Sequence, residues 1–193
     1  MTFDPRDRAN VTLVVRAALG DAASLDRLLR AIQQPLYDHV AFITRDRDVA
    51  SDVLQDVLVI VCRSLIRLHD PTLFRAWAFR IATREAIRAV RRTSRRDITL
   101  DDAAEIAQEP VGEPVFDAEL VAALPALVGE LPPACGVVVR LRYLEELSVA
   151  EVAEALNVPA GTVKSRAAYG VVLLRRRLSI EEPDRDTASA AKR

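Results

Sequence analysis

From position 148 the chain runs Ser148-Val149-Ala150-Glu151-Val152-Ala153-Glu154-Ala155-Leu156-Asn157-Val158-Pro159-Ala160-Gly161-Thr162-Val163-Lys164-Ser165-Arg166. Ser148 and Glu151 have the spacing of a capping box, in which a hydroxyl and a carboxylate satisfy the first free amides of a helix. Val149, Val152, Ala153 and Leu156 then fall on one face at helical spacing. Asn157-Val158-Pro159 breaks that helix, and Pro159 suits the first turn of the next. Two short helices meeting at a tight turn form a helix-turn-helix. Thr162, Lys164, Ser165 and Arg166 stand at the front of the second helix. They are hydrogen-bonding and cationic groups where the phosphates and base edges of a DNA duplex would lie. Any small helical hairpin can show a capping box and an apolar stripe, so this segment alone names no function.

The rest of the chain points the same way. It has 193 residues, half of them hydrophobic, with 5% aromatics and six glycines. Ala, Leu, Val and Arg dominate, no sustained period-2 alternation occurs, and an all-α fold is predicted. No apolar run approaches the roughly 20 residues of a membrane span, so no membrane insertion is expected. No secretory signal pattern opens the sequence, and a cytoplasmic location fits. Cys62 and Cys135 lie far apart in apolar helical contexts and read as small core residues rather than metal ligands.

The net charge of −1 hides an uneven distribution. Residues 1–92 carry 15 basic and 11 acidic side chains, residues 93–126 carry 2 and 8, and residues 127–180 carry 7 and 5. Two mildly basic blocks are therefore separated by an acidic connector. The expected organisation is two small helical domains, 1–93 and 118–180, joined by a flexible acidic linker at 94–117 that holds a short helix near Ala103 to Ala107. A disordered tail is expected at 181–193. In the first block helices are expected from Leu13 to Ala18, from Ser24 to Ile43 with Pro35 kinking or interrupting it, from Val49 to Leu68 and from Leu73 to Arg92. In the second block they are expected at 118–129, 133–145, 148–156 and 159–178.

Two constellations mark the first block. Asp48, Asp52, Gln55 and Asp56 project from one face of a helix, while Val49, Val53, Val57 and Ile60 occupy another and can pack inward. An acidic, amide-bearing face is suited to an arginine-rich protein surface, because carboxylates accept bidentate guanidinium bonds; the alternative is a plain solvated face. No His, Gly-rich loop or second acidic helix accompanies these carboxylates, so no catalytic residues, cofactor or metal are expected. The second constellation is the helix from Phe74 to Arg92. Arg80, Arg84, Arg88 and Arg91 or Arg92 form a stripe, and between Arg75 and Arg96 eight arginines face one acid, Glu85. Such a stripe is an electrostatic footprint for phosphates. Trp77, beside Phe74 and Ile81, reads as core rather than as a stacking platform for a base.

In order, these pieces are Asp48-x-x-x-Asp52-Val53-Leu54-Gln55-Asp56, then Phe74-Arg75-Ala76-Trp77-x-x-Arg80-Ile81-Ala82, then a linker and the segment from Arg142 to Arg166. The combination resembles the bacterial RNA polymerase sigma factors of the extracytoplasmic-function class (group IV of the sigma-70 family), over roughly residues 10 to 178. The resemblance implies a factor, not an enzyme, that binds core RNA polymerase and brings it to promoter DNA. It implies that Asp48, Asp52, Gln55 and Asp56 face the polymerase clamp helices and that Arg80, Arg84, Arg88, Arg91 and Arg92 lie along the minus-ten element. The loop His69 to Thr72 matches the family's pocket for an extruded base. Thr162, Lys164, Ser165 and Arg166 would meet the minus-thirty-five element, and an anti-sigma protein is a habitual partner. Three positions depart from the family pattern. Glu85 stands where Asn is common, Gly136 replaces a polar residue, and Ala167 to Val172 lacks the usual cations, with Gly170 costing roughly 1 kcal/mol of helix stability. The competing reading is a stand-alone helix-turn-helix regulator with an N-terminal sensing bundle, which has no need of paired acidic and basic helices.

Overall fold

The computed structural model describes residues 7–93 and 124–181. The expected linker at 94–117, residues 118–123 and the tail after 181 lie outside the described residues. Everything regular among the described residues is helical, as expected: α1 (Arg8–Ala18), α2 (Ala22–Thr44), α3 (Arg47–Ser64), α4 (Phe74–Thr93), α5 (Pro133–Val139), α6 (Val149–Leu156) and α7 (Ala160–Glu181). The chain falls into two compact units, Met1–Thr99 with Ala150–Val158, and Leu100–Val149 with Pro159–Arg193. This division assigns the Ala150–Val158 segment to the first unit, where the expected domains put it in the second. One tie within that unit is the ion pair of Glu154 on α6 with Arg80 on α4, 3.0 Å.

In the first unit α1 to α4 pack as a bundle, with α2 touching each of the other three. Their starts are set by aspartates whose carboxylates accept backbone amides that the helix leaves open. Asp7 accepts from Ala9 and so begins α1 five residues before the first expected position, while Asp21 accepts from Ser24 at the head of α2. Gly20, at φ +93°, supplies the left-handed turn between them. α2 runs unbroken through Pro35, contrary to the expected interruption. A proline inside a helix costs about 3 kcal/mol, but Leu28 and Ile32 before it and Leu36 and Val40 after it all bury in one core. Each such side chain contributes about 1.5–3 kcal/mol, and a break would withdraw half of them.

The core also holds one polar pin. His39 on α2 is fully buried, and its Nε2 lies 2.8 Å from Thr83 Oγ1 on α4. The Thr83 hydroxyl donates to the Phe79 carbonyl at 2.8 Å, so its oxygen accepts and His39 Nε2 carries the proton. The imidazole stands edge-on to the Phe79 ring, with centroids 5.3 Å apart. Trp77, expected in the core, is half-buried at its edge against fully buried Phe74, their ring centroids 6.0 Å apart.

In the second unit α5 packs on α7. Gly170 is what lets them approach: a Cβ there would lie 2.6 Å from Val139 Cγ2. α5 continues as a π-helical turn over Arg140–Leu144, where one extra residue is accommodated. The Glu145 amide closes on the Arg140 carbonyl at 3.0 Å, and the Leu147 amide on the Leu141 carbonyl at 3.0 Å. Inside the turn Arg140 pairs with Glu145 at 3.3 Å, both nearly buried. Of the two cysteines, Cys135 is core as expected, but Cys62 is exposed on α3. Burial pushes the Cys135 thiol up, partly opposed by the nearby Arg166 charge.

Candidate functional site

α3 is placed by a hairpin of only two residues. Arg45, at φ 53°, ends α2, and Asp46 begins α3 by accepting the amides of Asp48 at 2.9 Å and Val49 at 3.1 Å. Ala50, Val53, Leu54, Val57 and Val61 turn inward and are buried. Val49 and Ile60, expected to pack with them, are only half-buried at the edges of that stripe. The helical period then forces Asp48, Asp52, Gln55 and Asp56 outward, and all four are exposed. Among the described residues the three carboxylates have no ion-pair partner. Further along the exposed side stand Val59, Cys62 and Ile66, so an acidic row gives way to an apolar one.

The link from α3 to α4 is stiffened by Asp70. Its carboxylate accepts from the Thr72 amide at 2.9 Å and the Thr72 hydroxyl at 2.6 Å, capping the tight turn Pro71–Leu73. Those two bonds, the hydroxyl's first, hold its carboxyl below the usual carboxylate range. His69, Asp70 and Thr72 are exposed there.

α4 buries Phe74, Ala78, Ile81, Ala82, Ala86 and Ala89, and Arg80, Arg84, Arg88, Arg91 and Arg92 are all exposed. The expected stripe therefore exists, but three of its arginines are already occupied. Arg80 meets Glu154, Arg84 Nε lies 3.3 Å from Glu85, and Arg88 Nη1 reaches both Glu85 oxygens at 3.0 and 2.8 Å. Glu85 itself is buried, in the inward register set by Trp77 and Ile81.

The two helices expected here are present in the chain as α6 and α7, with the turn Asn157-Val158-Pro159 between them. Ser148 immediately precedes α6 and Glu151 lies in its first turn. Asn157 takes φ 54°, a left-handed position that asparagine tolerates. The Pro159 carbonyl accepts the Val163 amide at 3.2 Å, so α7 begins one residue after the proline. On α7, Lys164 is exposed and Thr162 and Ser165 are half-exposed, the Ser165 hydroxyl donating to the Thr162 carbonyl at 3.1 Å.

Arg166 corrects the expectation. It is 5% exposed, because it falls three residues after Val163 and four before Gly170, on the stripe that α7 turns inward. Its Nε is buried in this structure. The outward stripe instead continues from Thr162 and Ser165 to Tyr169 and Val172, both exposed. Tyr169 was not singled out in the sequence, although its spacing from Ser165 is a full helical turn. Arg175, Arg176 and Arg177, exposed at the far end of α7, belong to none of the sites expected from the sequence. Three consecutive arginines were the available signal.

Comparison with known proteins identifies this arrangement. Residues 28–96 match the family model "Sigma-70 region 2", and residues 122–174 match "Sigma-70, region 4". The ECF RNA polymerase sigma factor SigE of Mycolicibacterium smegmatis is 31% identical over 181 residues, covering 89% of this chain and 69% of the relative. SigW of Bacillus subtilis, also an ECF RNA polymerase sigma factor, is 30% identical over 140 residues, covering 67% and 75%. The RNA polymerase sigma-H factor of Pseudomonas aeruginosa is 27% identical over 165 residues, covering 80% and 86%. The solved structure of CnrH in complex with the cytosolic domain of CnrY shares the fold, with a TM-score of 0.62 and 23% identity over 88% of this chain and 97% of that one. With regions 2 and 4 in that order, the chain belongs to the extracytoplasmic-function sigma factors, initiation factors that direct RNA polymerase to promoters.

Proposed function

We propose that the α3 acidic row is the docking face for core RNA polymerase and that α4 and α7 carry the two promoter contacts. The observation that supports this most is the state of Asp48, Asp52 and Asp56: three exposed carboxylates on a rigid, capped helix, with no ion-pair partner among the described residues. Unbalanced like charges on one face are best explained by a basic partner that supplies guanidinium or ammonium groups. Gln55 adds an amide to the same row.

Arg80, Arg84, Arg88, Arg91 and Arg92 would follow the backbone of the minus-ten element. The capped His69 to Thr72 loop would receive a base turned out of the stack, recovering the few kcal/mol that unstacking costs. Thr162, Lys164 and Ser165 would meet the minus-thirty-five duplex, joined by Tyr169 on the same outward stripe. In this reading the functional modules are 1–93 and 118–180 with the acidic segment 94–117 between them, working in the cytoplasm. The CnrH structure, solved with the cytosolic domain of CnrY, supports an anti-sigma partner for this chain too.

Co-elution of the full chain with core polymerase on a sizing column tests the docking face. Wild type co-elutes, and the folded Asp52→Lys/Asp56→Lys double variant does not. Equal co-elution of both removes α3 from the interface.

A further inference from the structure

The α4 stripe contains an anion of its own. Glu85 is the single acid among the arginines of that helix, and its side chain is only 9% exposed, against 65% for Arg84 and 58% for Arg88. A carboxylate so far out of water is strongly disfavoured unless it is paired. Here it takes two hydrogen bonds from Arg88 Nη1 at 3.0 and 2.8 Å and a longer one from Arg84 Nε at 3.3 Å. The three side chains together carry one net positive charge instead of two. A DNA phosphate that draws Arg88 away leaves Glu85 with the weaker partner only, and a nearly buried carboxylate that loses its main partner is disfavoured.

We propose that Glu85 is a built-in counter-anion that limits how tightly the α4 stripe binds phosphate, and so holds down binding to DNA that is not a promoter. It acts through Arg84 and Arg88 and is a positioning residue. This rests on the reading of α4 as a DNA surface. A phosphate placed correctly by contacts elsewhere can share Arg88 with Glu85, whereas one arriving without them must compete for it. Glu85 thus opposes non-specific binding most.

The test measures binding of the full chain to fluorescent oligothymidine by anisotropy, as a function of salt. Two neutral variants, Glu85→Gln and Glu85→Met, are compared with wild type after melting curves show that each is folded; Met suits a nearly buried position if Gln does not. Each releases about one cation to the strand. The expected result is binding about tenfold tighter, with a log–log salt slope steeper by about one unit. Glu85→Asp, which keeps the charge, stays near wild type. If both neutral variants match wild type in affinity and slope, whether all bind or none does, the proposal is overturned. Arg84→Ala and Arg88→Ala separate the two levels. If they bind more weakly while the neutral variants do not change, Glu85 alone loses its role. If the arginine variants also match wild type, the stripe is no DNA surface and both readings fall.

Discussion

α3 and α4 lie in one bundle and carry opposite charges, but they hold those charges differently. On α3 the carboxylates of Asp48, Asp52 and Asp56 have no ion-pair partner among the described residues. On α4, Arg80, Arg84 and Arg88 each meet a carboxylate of the same chain. The difference is one of readiness. A face with nothing to give up can bind a basic partner without breaking a contact it already has. A face whose cations are already engaged must exchange partners, which favours discrimination over strength.

The largest expected effect breaks the contrast on the α3 side. Asp52→Lys/Asp56→Lys turns attraction into repulsion and lowers affinity for core polymerase roughly a hundredfold or more, read by co-elution or by titration of labelled chain. Its melting temperature changes little, because both positions are solvated. Next come Arg84→Ala and Arg88→Ala, each expected to make the salt dependence of DNA binding shallower by up to about one unit of slope; an unaltered slope would leave α4 a solvated face. Asp46→Ala removes the cap on which the α3 row depends and costs about 1 kcal/mol, measured by chemical denaturation, with docking weakened in proportion to fraying of the first turn.

Smaller effects sharpen the same picture. The exposed Cys62 on α3 reacts with Ellman's reagent in the native state, while Cys135, buried and with its thiol pushed up from 9.0, reacts only on unfolding. Simultaneous release of both thiols would contradict the packing of α5. Asp21 and Asp70 are held below their ordinary value of 3.8, Asp21 chiefly by the Ser24 amide and the Arg16 guanidinium, Asp70 by Thr72. A depressed carboxyl stabilises the fold above its unfolded pKa and loses that contribution as pH falls through the folded one. Asp70→Asn and Asp21→Asn therefore lower stability in the neutral range and flatten the acid limb of a pH–stability curve below about 4.

Much of this was legible because helical period decides which side of a strongly patterned helix meets water. Asp48 to Asp56 and the α4 arginines needed nothing else, and the order of the motifs pointed to the family. What escaped the sequence lay at stripe edges and in close contacts. Glu85 reads as one more surface charge until α4 is seen to turn it inward. Arg166 reads as a front-of-helix cation, yet Val163 and Gly170 set a register that buries it. Pro35 reads as a kink or a break, and the helix runs on through it because the core on both sides is a tertiary property. Gly136 reads as a departure from a polar pattern, and in the fold it is buried in α5.

Gly170 carries a consequence for how this chain tolerates change. Seen in the sequence it is a weak point, a residue that loosens a helix. In the fold it is a keyhole, since any side chain there would meet Val139 Cγ2 within 2.6 Å, and a buried β-branched neighbour has few rotamers in which to retreat. In a library of variants scored for folding alone, position 170 should lose every substitution, alanine included, while Lys164 six residues earlier accepts nearly all. Scored for promoter use, both positions become intolerant if Lys164 meets the duplex as proposed. The pair thus separates damage to the scaffold from damage to recognition without any knowledge of the promoter.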